Sequence, residues 1–209
     1  MDTNNFSSSL YWESRYRSGG NSGAGSYDRL AAFKADVINA FVAEMGIDSV
    51  IEFGAGDGNQ LLLYNFPEYS GFDVSMTAVA MLREKFPDDT TKHFFPMSEF
   101  AGQTAALSLS CDVIYHLIED DVYDAYMRAL FQAAGRFVIA YSSNTDAEPY
   151  QRGSHVRHRK FTAWTTRNAP AWECFRHVKN EYPGSFSYHS PRHSFCDFFF
   201  FRKKSRAGV

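Results

Sequence analysis

The sequence predicts an α/β fold in which a mostly parallel sheet carries helices on both faces, and two patterns indicate it. Short apolar runs that are typical of strands alternate with amphipathic runs that are typical of helices, and this alternation favours a parallel sheet covered on both sides. Glycines at positions 54, 56 and 58 directly follow one predicted strand and precede a helical run. A corner of this kind lets the backbone turn sharply and lets a ligand approach closely.

The predicted elements begin with a helix and then alternate. Leu30, Phe33, Val37, Phe41 and Met45 recur at helical spacing, which predicts a helix over 28–45 that ends at Gly46. The later helices are predicted to start at 60, to cover 76–86, and to run from 120 or 121 to a stop at Gly135. The first five strands are predicted over the apolar runs 49–53, 69–74, 91–95, 111–116 and 136–141.

The pattern changes after Ser142. A polar, basic stretch runs to Lys160 and leaves room for a short helix after it. Two further strand-like segments, 172–181 and 194–202, have no clear helix between them, so we expect an antiparallel hairpin at the sheet edge. No repeat or linker is visible, which predicts one domain over 29–209 behind an N-terminal segment, 1–28.

Composition narrows the class of protein. The net charge is −3, which provides no general attraction to nucleic acid or to an anionic membrane. The cysteines at 111, 174 and 196 contain no CxxC pair, so neither a disulfide framework nor a zinc site is predicted. No signal-like start and no bilayer-length apolar run is visible. We therefore expect a cytoplasmic protein that does not associate with membranes.

The glycine corner has acidic neighbours. Glu52 and Asp57 flank it, and its third glycine comes one residue earlier than in the dinucleotide motif G-x-G-x-x-G. Carboxylates repel a pyrophosphate, but they suit S-adenosylmethionine, which carries a sulfonium and an ammonium group. Asp73 ends the next predicted strand, where a carboxylate can accept hydrogen bonds from ribose hydroxyls. The corner therefore favours the methyl donor.

Three segments carry a family resemblance. Glu52-Phe-Gly-Ala-Gly-Asp-Gly and Gly71-Phe-Asp-Val-Ser resemble motifs I and II of the class I S-adenosylmethionine-dependent methyltransferases. Asp112-Val-Ile-Tyr-His-Leu-Ile-Glu-Asp resembles their motif after the fourth strand. The resemblance implies a Rossmann-like, doubly wound sheet of seven strands with an antiparallel last strand. It also implies an enzyme that uses S-adenosylmethionine and releases S-adenosylhomocysteine.

The resemblance extends to the N-terminus and to the donor contacts. The segment from Tyr11 to Tyr16 resembles N-terminal segments that fold over the donor. Where many members carry Asp after the third strand, near adenine, this chain has Ser98 and Glu99. The residues predicted to bind the donor are Tyr11, Arg15, Glu52, Gly54, Ala55, Gly56, Asp73, Val74, Met97, Ser98 and Tyr115.

The acceptor side is predicted from a histidine and a basic run. An O- or N-acceptor that carries a proton gains from a general base, and His116, expected at the end of the fourth strand, is the candidate. The alternative is a histidine that is simply hydrogen-bonded there. Arg157 and Arg159 could clamp a phosphate or carboxylate, with His155 and Tyr16 beside them, or could belong to a solvated loop. No metal is predicted, because the spacing of acids and histidines does not require one.

Three functions remain open at this point. The first is methyl transfer to an O or N atom of a small, anionic molecule. The second is methylation of RNA or protein, against which the acidic net charge weighs. The third is a non-catalytic domain that binds the donor or a partner. The acceptor and the oligomeric state are not predicted.

Overall fold

The chain forms a seven-stranded sheet with helices on both faces, in a computed structural model that describes residues 6–148, 151, 154–184 and 192–204. The helices are α1 (Ser8–Arg17), α2 (Asp28–Met45), α3 (Met76–Lys85), α4 (Asp120–Gln132) and α5 (Phe161–Asn168). The strands are β1 (Ser49–Phe53), β2 (Glu68–Asp73), β3 (Lys92–Pro96), β4 (Ala105–Cys111), β5 (Ala134–Ser142), β6 (Trp172–Val178) and β7 (Asp197–Lys203).

The strand order is β3-β2-β1-β4-β5-β7-β6. β1 pairs in parallel with β2 and β4, and β2–β3 and β4–β5 are also parallel pairs. β7 runs antiparallel to both β5 and β6. This topology confirms the mostly parallel, seven-stranded sheet with an antiparallel last strand, and it confirms the predicted pairing of the last two strands.

Adjacent residues of β1 show how the two faces are covered. Val50 packs into the apolar cluster that contains Ile38 of α2 and Leu82 of α3. Ile51 points to the other face and packs with Met127 of α4. Because successive strand side chains point to opposite faces, a strand buried on both sides needs an unbroken apolar run. In β1, Val50, Ile51 and Phe53 provide this apolar character, and only Glu52 interrupts it; this explains why the position of the strand could be predicted.

The fourth strand was predicted in the wrong place. The structure forms β4 at Ala105–Cys111, and residues 114–116 of the predicted strand form a 3-10 turn. Asp112 separates the two with φ 58°, a left-handed conformation that a strand cannot continue through. Ile114 and Tyr115 are buried in the turn, so their apolar character looks like that of a strand. His116 is therefore in a turn beyond the strand.

The second predicted helix is also shorter than expected. Gln60–Leu63 forms a single 3-10 turn, and β2 starts at Glu68. Tyr64, directly after the turn, has an extended backbone (φ −90°, ψ 140°), so the helix does not continue, although Leu61 still contributes to the core. Among the helices in the described part of the chain, none is both long enough and apolar enough to cross a bilayer.

Candidate functional site

A cavity of about 340 Å³ lies at the carboxyl ends of β1, β2 and β4, next to α1. Chain connections leave the sheet in opposite directions between β1 and β4, because β2 and β3 lie on one side and β5 on the other. Open α/β sheets bind ligands at such a switch point. The volume falls at the lower end of the range for small-molecule sites, which is roughly 300–1,000 Å³.

Two glycines let the backbone pass close to its neighbours at the cavity floor. Gly54 has φ 86°, and a Cβ there would lie 2.3 Å from Val113 Cγ2. Gly56 has φ 61°, and a Cβ there would lie 2.3 Å from Ser22 Oγ. A larger residue would be strained at both positions and would displace the neighbouring side chains.

The amide N–H groups of this corner are bonded within the protein. Gly54 and Ala55 both donate to the carbonyl oxygen of Phe72, at 2.7 and 3.1 Å. Gly56 donates to Asp73 Oδ2 at 2.9 Å. A pyrophosphate site presents free N–H groups of this kind to its ligand. The corner is therefore not arranged to bind a pyrophosphate.

Two buried carboxylates, Glu52 and Asp73, line the cavity. Burial raises the pKa of Glu52 to about 7, although its Oε2 accepts a hydrogen bond from Tyr69 at 2.6 Å. Burial also raises the pKa of Asp73 to about 6, against the hydrogen bonds that it accepts from the amides of Ser75 and Gly56. Both groups have capacity to accept hydrogen bonds from ligand hydroxyls.

The N-terminal helix α1 is attached beside the cavity at two points. The amide of Ser8 donates to Glu119 Oε1 at 2.8 Å. Glu13 accepts hydrogen bonds from Ser75 Oγ and Thr77 Oγ1, both at 2.7 Å, at the start of α3. These contacts bring Trp12 into the cavity wall. The segment that was expected to cover the donor thus lies against the cavity.

His116 also lines the cavity, and its protonation can be assigned from its contacts. Nδ1 lies 2.8 Å from the carbonyl oxygen of His155. Because a carbonyl only accepts, Nδ1 carries the proton, and Nε2 holds the lone pair of the neutral ring. Burial lowers the pKa of His116 to about 4. Trp12 packs against this ring edge-on, with ring centroids 4.9 Å apart.

Seven of the predicted donor residues line this one cavity, as does Tyr16 from the acceptor set. The seven are Glu52, Gly54, Ala55, Gly56, Asp73, Val74 and Met97.

Four predicted donor residues lie elsewhere. Tyr11 stacks on His155, with ring centroids 4.8 Å apart. Arg15 donates through Nε to the carbonyl oxygen of Asn21 at 2.6 Å. Tyr115 is buried, and Ser98 is in the 3-10 turn after β3; neither is among the described lining residues. The contact of Tyr11 with His155 and the contact of Arg15 with Asn21 thus replace the contacts that these two residues were expected to make with the donor.

The two arginines expected to clamp an anion also lie outside the cavity. Arg157 Nη1 donates to the carbonyl of Ile118 at 2.7 Å, and Arg159 Nη2 donates to the same oxygen at 2.9 Å. Both guanidinium groups pair with Asp120, each at 3.0 Å. Their donors hold the chain after the 3-10 turn, so the structure does not bring them to the acceptor side of the cavity.

Several cavity residues were not predicted from the sequence. Lys34 and Asp112 form a buried ion pair with Nζ 2.6 Å from Oδ2. A lysine within the apolar face of α2 was a visible signal for this pair, because isolated buried charges are costly. Gln60 and Glu119 carried no comparable signal. Within the described ranges, no group of three or more His, Cys, Asp or Glu residues could hold a metal ion.

No protein-family model matches the sequence, and no curated protein matches it either. Three solved structures are similar to the chain over most of its length. Magnesium protoporphyrin IX methyltransferase from Synechocystis PCC 6803, with bound S-adenosylmethionine, is 15% identical with TM-score 0.66, covering 96% of this chain and 99% of its own. The methyltransferase domain of bacterial CtHen1-C is 17% identical with TM-score 0.63, covering 82% and 97%.

The third structure is the small RNA methyltransferase HEN1, which is 16% identical with TM-score 0.61, covering 87% of this chain and 26% of its own. Such identities establish likeness of fold. The seven-stranded sheet and these similarities together show that the chain has the Rossmann-like fold of the class I S-adenosylmethionine-dependent methyltransferases.

Proposed function

We propose that the protein is a methyltransferase that uses S-adenosylmethionine to methylate an oxygen or nitrogen atom of a small molecule. The observation that carries the proposal is the cavity at the switch point, which combines buried Glu52 and Asp73 with a glycine corner whose amides are already bonded. This environment suits a positively charged nucleoside and disfavours a pyrophosphate.

Different lining residues suit different parts of the donor. Asp73 can accept hydrogen bonds from the ribose hydroxyls, as carboxylates at this strand end do. Val74 and Met97, at the ends of β2 and β3, provide apolar contacts for the adenine base. Gly54 and Gly56 allow the backbone to approach the ligand. When bound, S-adenosylmethionine supplies a methyl carbon on a sulfonium leaving group.

The acceptor side is formed by Trp12, His116, Leu117 and Val122. Holding the acceptor atom in line with the methyl carbon supplies most of the rate in such a displacement. The Nε2 lone pair of His116 can accept the hydrogen bond of an acceptor O–H or N–H group. With its pKa near 4, His116 stays neutral at physiological pH, but it is a weak base. Its proposed role is therefore chiefly to orient the acceptor.

The charges of the cavity favour a neutral or cationic acceptor. Glu52, Asp73, Asp112 and Glu119 line the cavity, and Lys34 is paired with one of them. Since the arginines expected to clamp an anion are bonded elsewhere, the anionic acceptor predicted from the sequence has no support from these residues. We therefore propose a neutral or cationic acceptor in place of the anionic one, and we keep the proposal that the methylated atom is an oxygen or a nitrogen.

An RNA acceptor is the main alternative, because HEN1 is a small RNA methyltransferase. RNA binding normally uses a broad basic surface. Here the net charge is −3, and Arg157 and Arg159 share Asp120. α1 also forms part of the cavity wall through Ser8, Trp12 and Tyr16. These observations support a small molecule, and not RNA, as the acceptor.

Calorimetry with S-adenosylhomocysteine and with NAD⁺ tests the donor assignment. We expect binding of the first and none of the second; preference for NAD⁺, or no binding of S-adenosylhomocysteine, would overturn the proposal. Transfer of labelled methyl from S-adenosylmethionine to a panel of phenols, amines and generic RNA tests the acceptor. Donor binding without transfer to any acceptor would favour the non-catalytic alternative, and salt-sensitive RNA binding would favour RNA.

A further inference from the structure

S-adenosylmethionine ends in an amino acid with one carboxylate and one ammonium group, and we propose that Lys34 binds the carboxylate and Gln60 the ammonium. The inference rests on the proposed function, since it concerns the same ligand. Neither residue belongs to the motifs by which the sequence resembles the methyltransferases, so their roles are derived from contacts and burial alone.

Lys34 is fully buried in the protein, yet it lines the cavity. Its Nζ donates to Asp112 Oδ2 at 2.6 Å and lies 5.3 Å from the ring centroid of Tyr141. Within the described residues this carboxylate is its one oxygen partner, and an ammonium has three N–H donors. Burial lowers the pKa of Lys34, but interactions with its neighbours, led by the charge of Asp112, together raise it, so the side chain is a cation.

Lys34 is also the one lysine or arginine among the described residues that line the cavity. A ligand carboxylate placed toward Asp57 or Asp73 would meet like charge, and the amides of Gly54, Ala55 and Gly56 are already bonded to protein oxygens. Like charges close together in a buried site are unfavourable. The carboxylate is therefore directed to Lys34.

Gln60 offers the complementary group. Its Nε2 donates to the carbonyl oxygen of Ala31 at 3.0 Å, and within the described part of the chain its buried Oε1 has no partner. The residue is 8% exposed and lines the cavity. A buried oxygen without a donor is costly, and an ammonium group would satisfy it. Ala31 and Lys34 are three residues apart on α2, so they share a helix face and bring the two groups close together.

The sheet sets the distance between the two ends of the ligand. Asp73 ends β2 and Asp112 follows β4, with β1 and its glycine corner between them. Two strand spacings separate these ends by about 10 Å. A nucleoside whose ribose binds Asp73 would cross the glycine corner and extend its amino-acid end toward Lys34.

The test for Lys34 compares two ligands that differ at this end. Calorimetry measures S-adenosylhomocysteine and 5′-methylthioadenosine, which lacks the amino-acid end, on the wild type and on the double variant Lys34→Met/Asp112→Asn. The double change avoids leaving one buried charge unpaired. We expect S-adenosylhomocysteine to bind about 10- to 100-fold more weakly, with 5′-methylthioadenosine unchanged. Equal losses for both ligands, or no loss for either, would overturn the role of Lys34.

Gln60→Met tests the ammonium contact while the ion pair stays intact. The variant should bind S-adenosylhomocysteine more weakly than the wild type does, but it should bind the analogue without the α-amino group with unchanged affinity. Equal changes in affinity for the two ligands would overturn the role of Gln60. If the double variant does not fold, the Gln60→Met comparison still tests whether the amino-acid end of the ligand lies at this corner of the cavity. Failure of the wild type to bind either adenosine thioether would instead overturn the proposed function itself.

Discussion

Ser22 and Asp57 hydrogen-bond each other in both directions. The amide of Ser22 donates to Asp57 Oδ2 at 2.8 Å, and the amide of Asp57 donates to Ser22 Oγ at 2.9 Å. Tyr27 donates to the same carboxylate oxygen at 2.8 Å. Burial opposes ionisation, but these donors and the amide of Asn59 keep the pKa of Asp57 below its ordinary value. One carboxylate of the glycine corner thus joins the N-terminal segment to the sheet.

Replacing this carboxylate should release the N-terminal segment. Asp57→Ala removes the acceptor of Ser22 and Tyr27, and hydrogen bonds to a charged group contribute about 1.5–3 kcal/mol. Local opening should therefore rise roughly 10- to 100-fold, and trypsin should cleave faster at Arg15 and Arg17. Asp89→Ala is the matched control, because Asp89 accepts similar bonds from Thr91 in a distant turn. Equal cleavage of the two variants would contradict the anchoring role.

The ribose contact proposed for Asp73 predicts a binding defect. Asp73→Ala should weaken the binding of S-adenosylhomocysteine by about 10- to 100-fold, since the variant loses a charged group that accepts hydrogen bonds from the ribose hydroxyls. Calorimetry gives the affinity directly. Glu68→Ala, at the exposed opposite end of β2, should bind like the wild type. A wild-type affinity in Asp73→Ala would show that the ribose lies elsewhere.

Glu52 should make stability depend on pH. Burial raises its pKa in the folded state to about 7, from 4.5 in the absence of burial. A raised pKa contributes stability that is fully present below pH 4.5 and is lost as the pH rises through 7. Glu52→Gln removes this titration and keeps an acceptor for Tyr69.

The free energy of unfolding of Glu52→Gln, minus that of the wild type, should therefore increase with pH, by up to about 3 kcal/mol between pH 4.5 and about pH 8. Urea unfolding across this range measures it, and the other titrating groups cancel because both proteins share them. Glu68→Gln, at an exposed position of β2, is the control substitution. A flat difference for Glu52→Gln would mean that its pKa is not raised.

The arginines of the basic run should matter for stability more than for ligand binding. Arg159→Ala leaves the carbonyls of Leu117 and Ile118 with fewer donors and should lower the free energy of unfolding by about 1–3 kcal/mol. Arg157→Ala should lower the free energy of unfolding by less, because the side chain of Arg157 is more exposed than that of Arg159. Urea titrations compare the two. If both variants unfold like the wild type but lose methyl transfer to an anionic acceptor, the original clamp hypothesis would be restored.

Prediction from the sequence succeeded where local pattern and final structure agree. The apolar run of β1, the glycines at 54 and 56 and the acid at 73 carry their roles in their own spacing. The prediction of β4 was wrong because Ile114 and Tyr115 are as apolar as a strand but are buried in a turn. The break between the two is the left-handed Asp112, and composition does not reveal that conformation.

The sequence by itself determined the α/β alternation, the acidic glycine corner and Asp73, because each depends on residues within a few positions of one another. Only the tertiary structure decided which polar groups meet: Lys34 with Asp112, Arg159 with Asp120, and Ser22 with Asp57. These partners are far apart in the chain, and the packing of helices and loops against the sheet brings them together. Pairing between distant side chains is a property of the packed fold, so spacing along the sequence could not predict it.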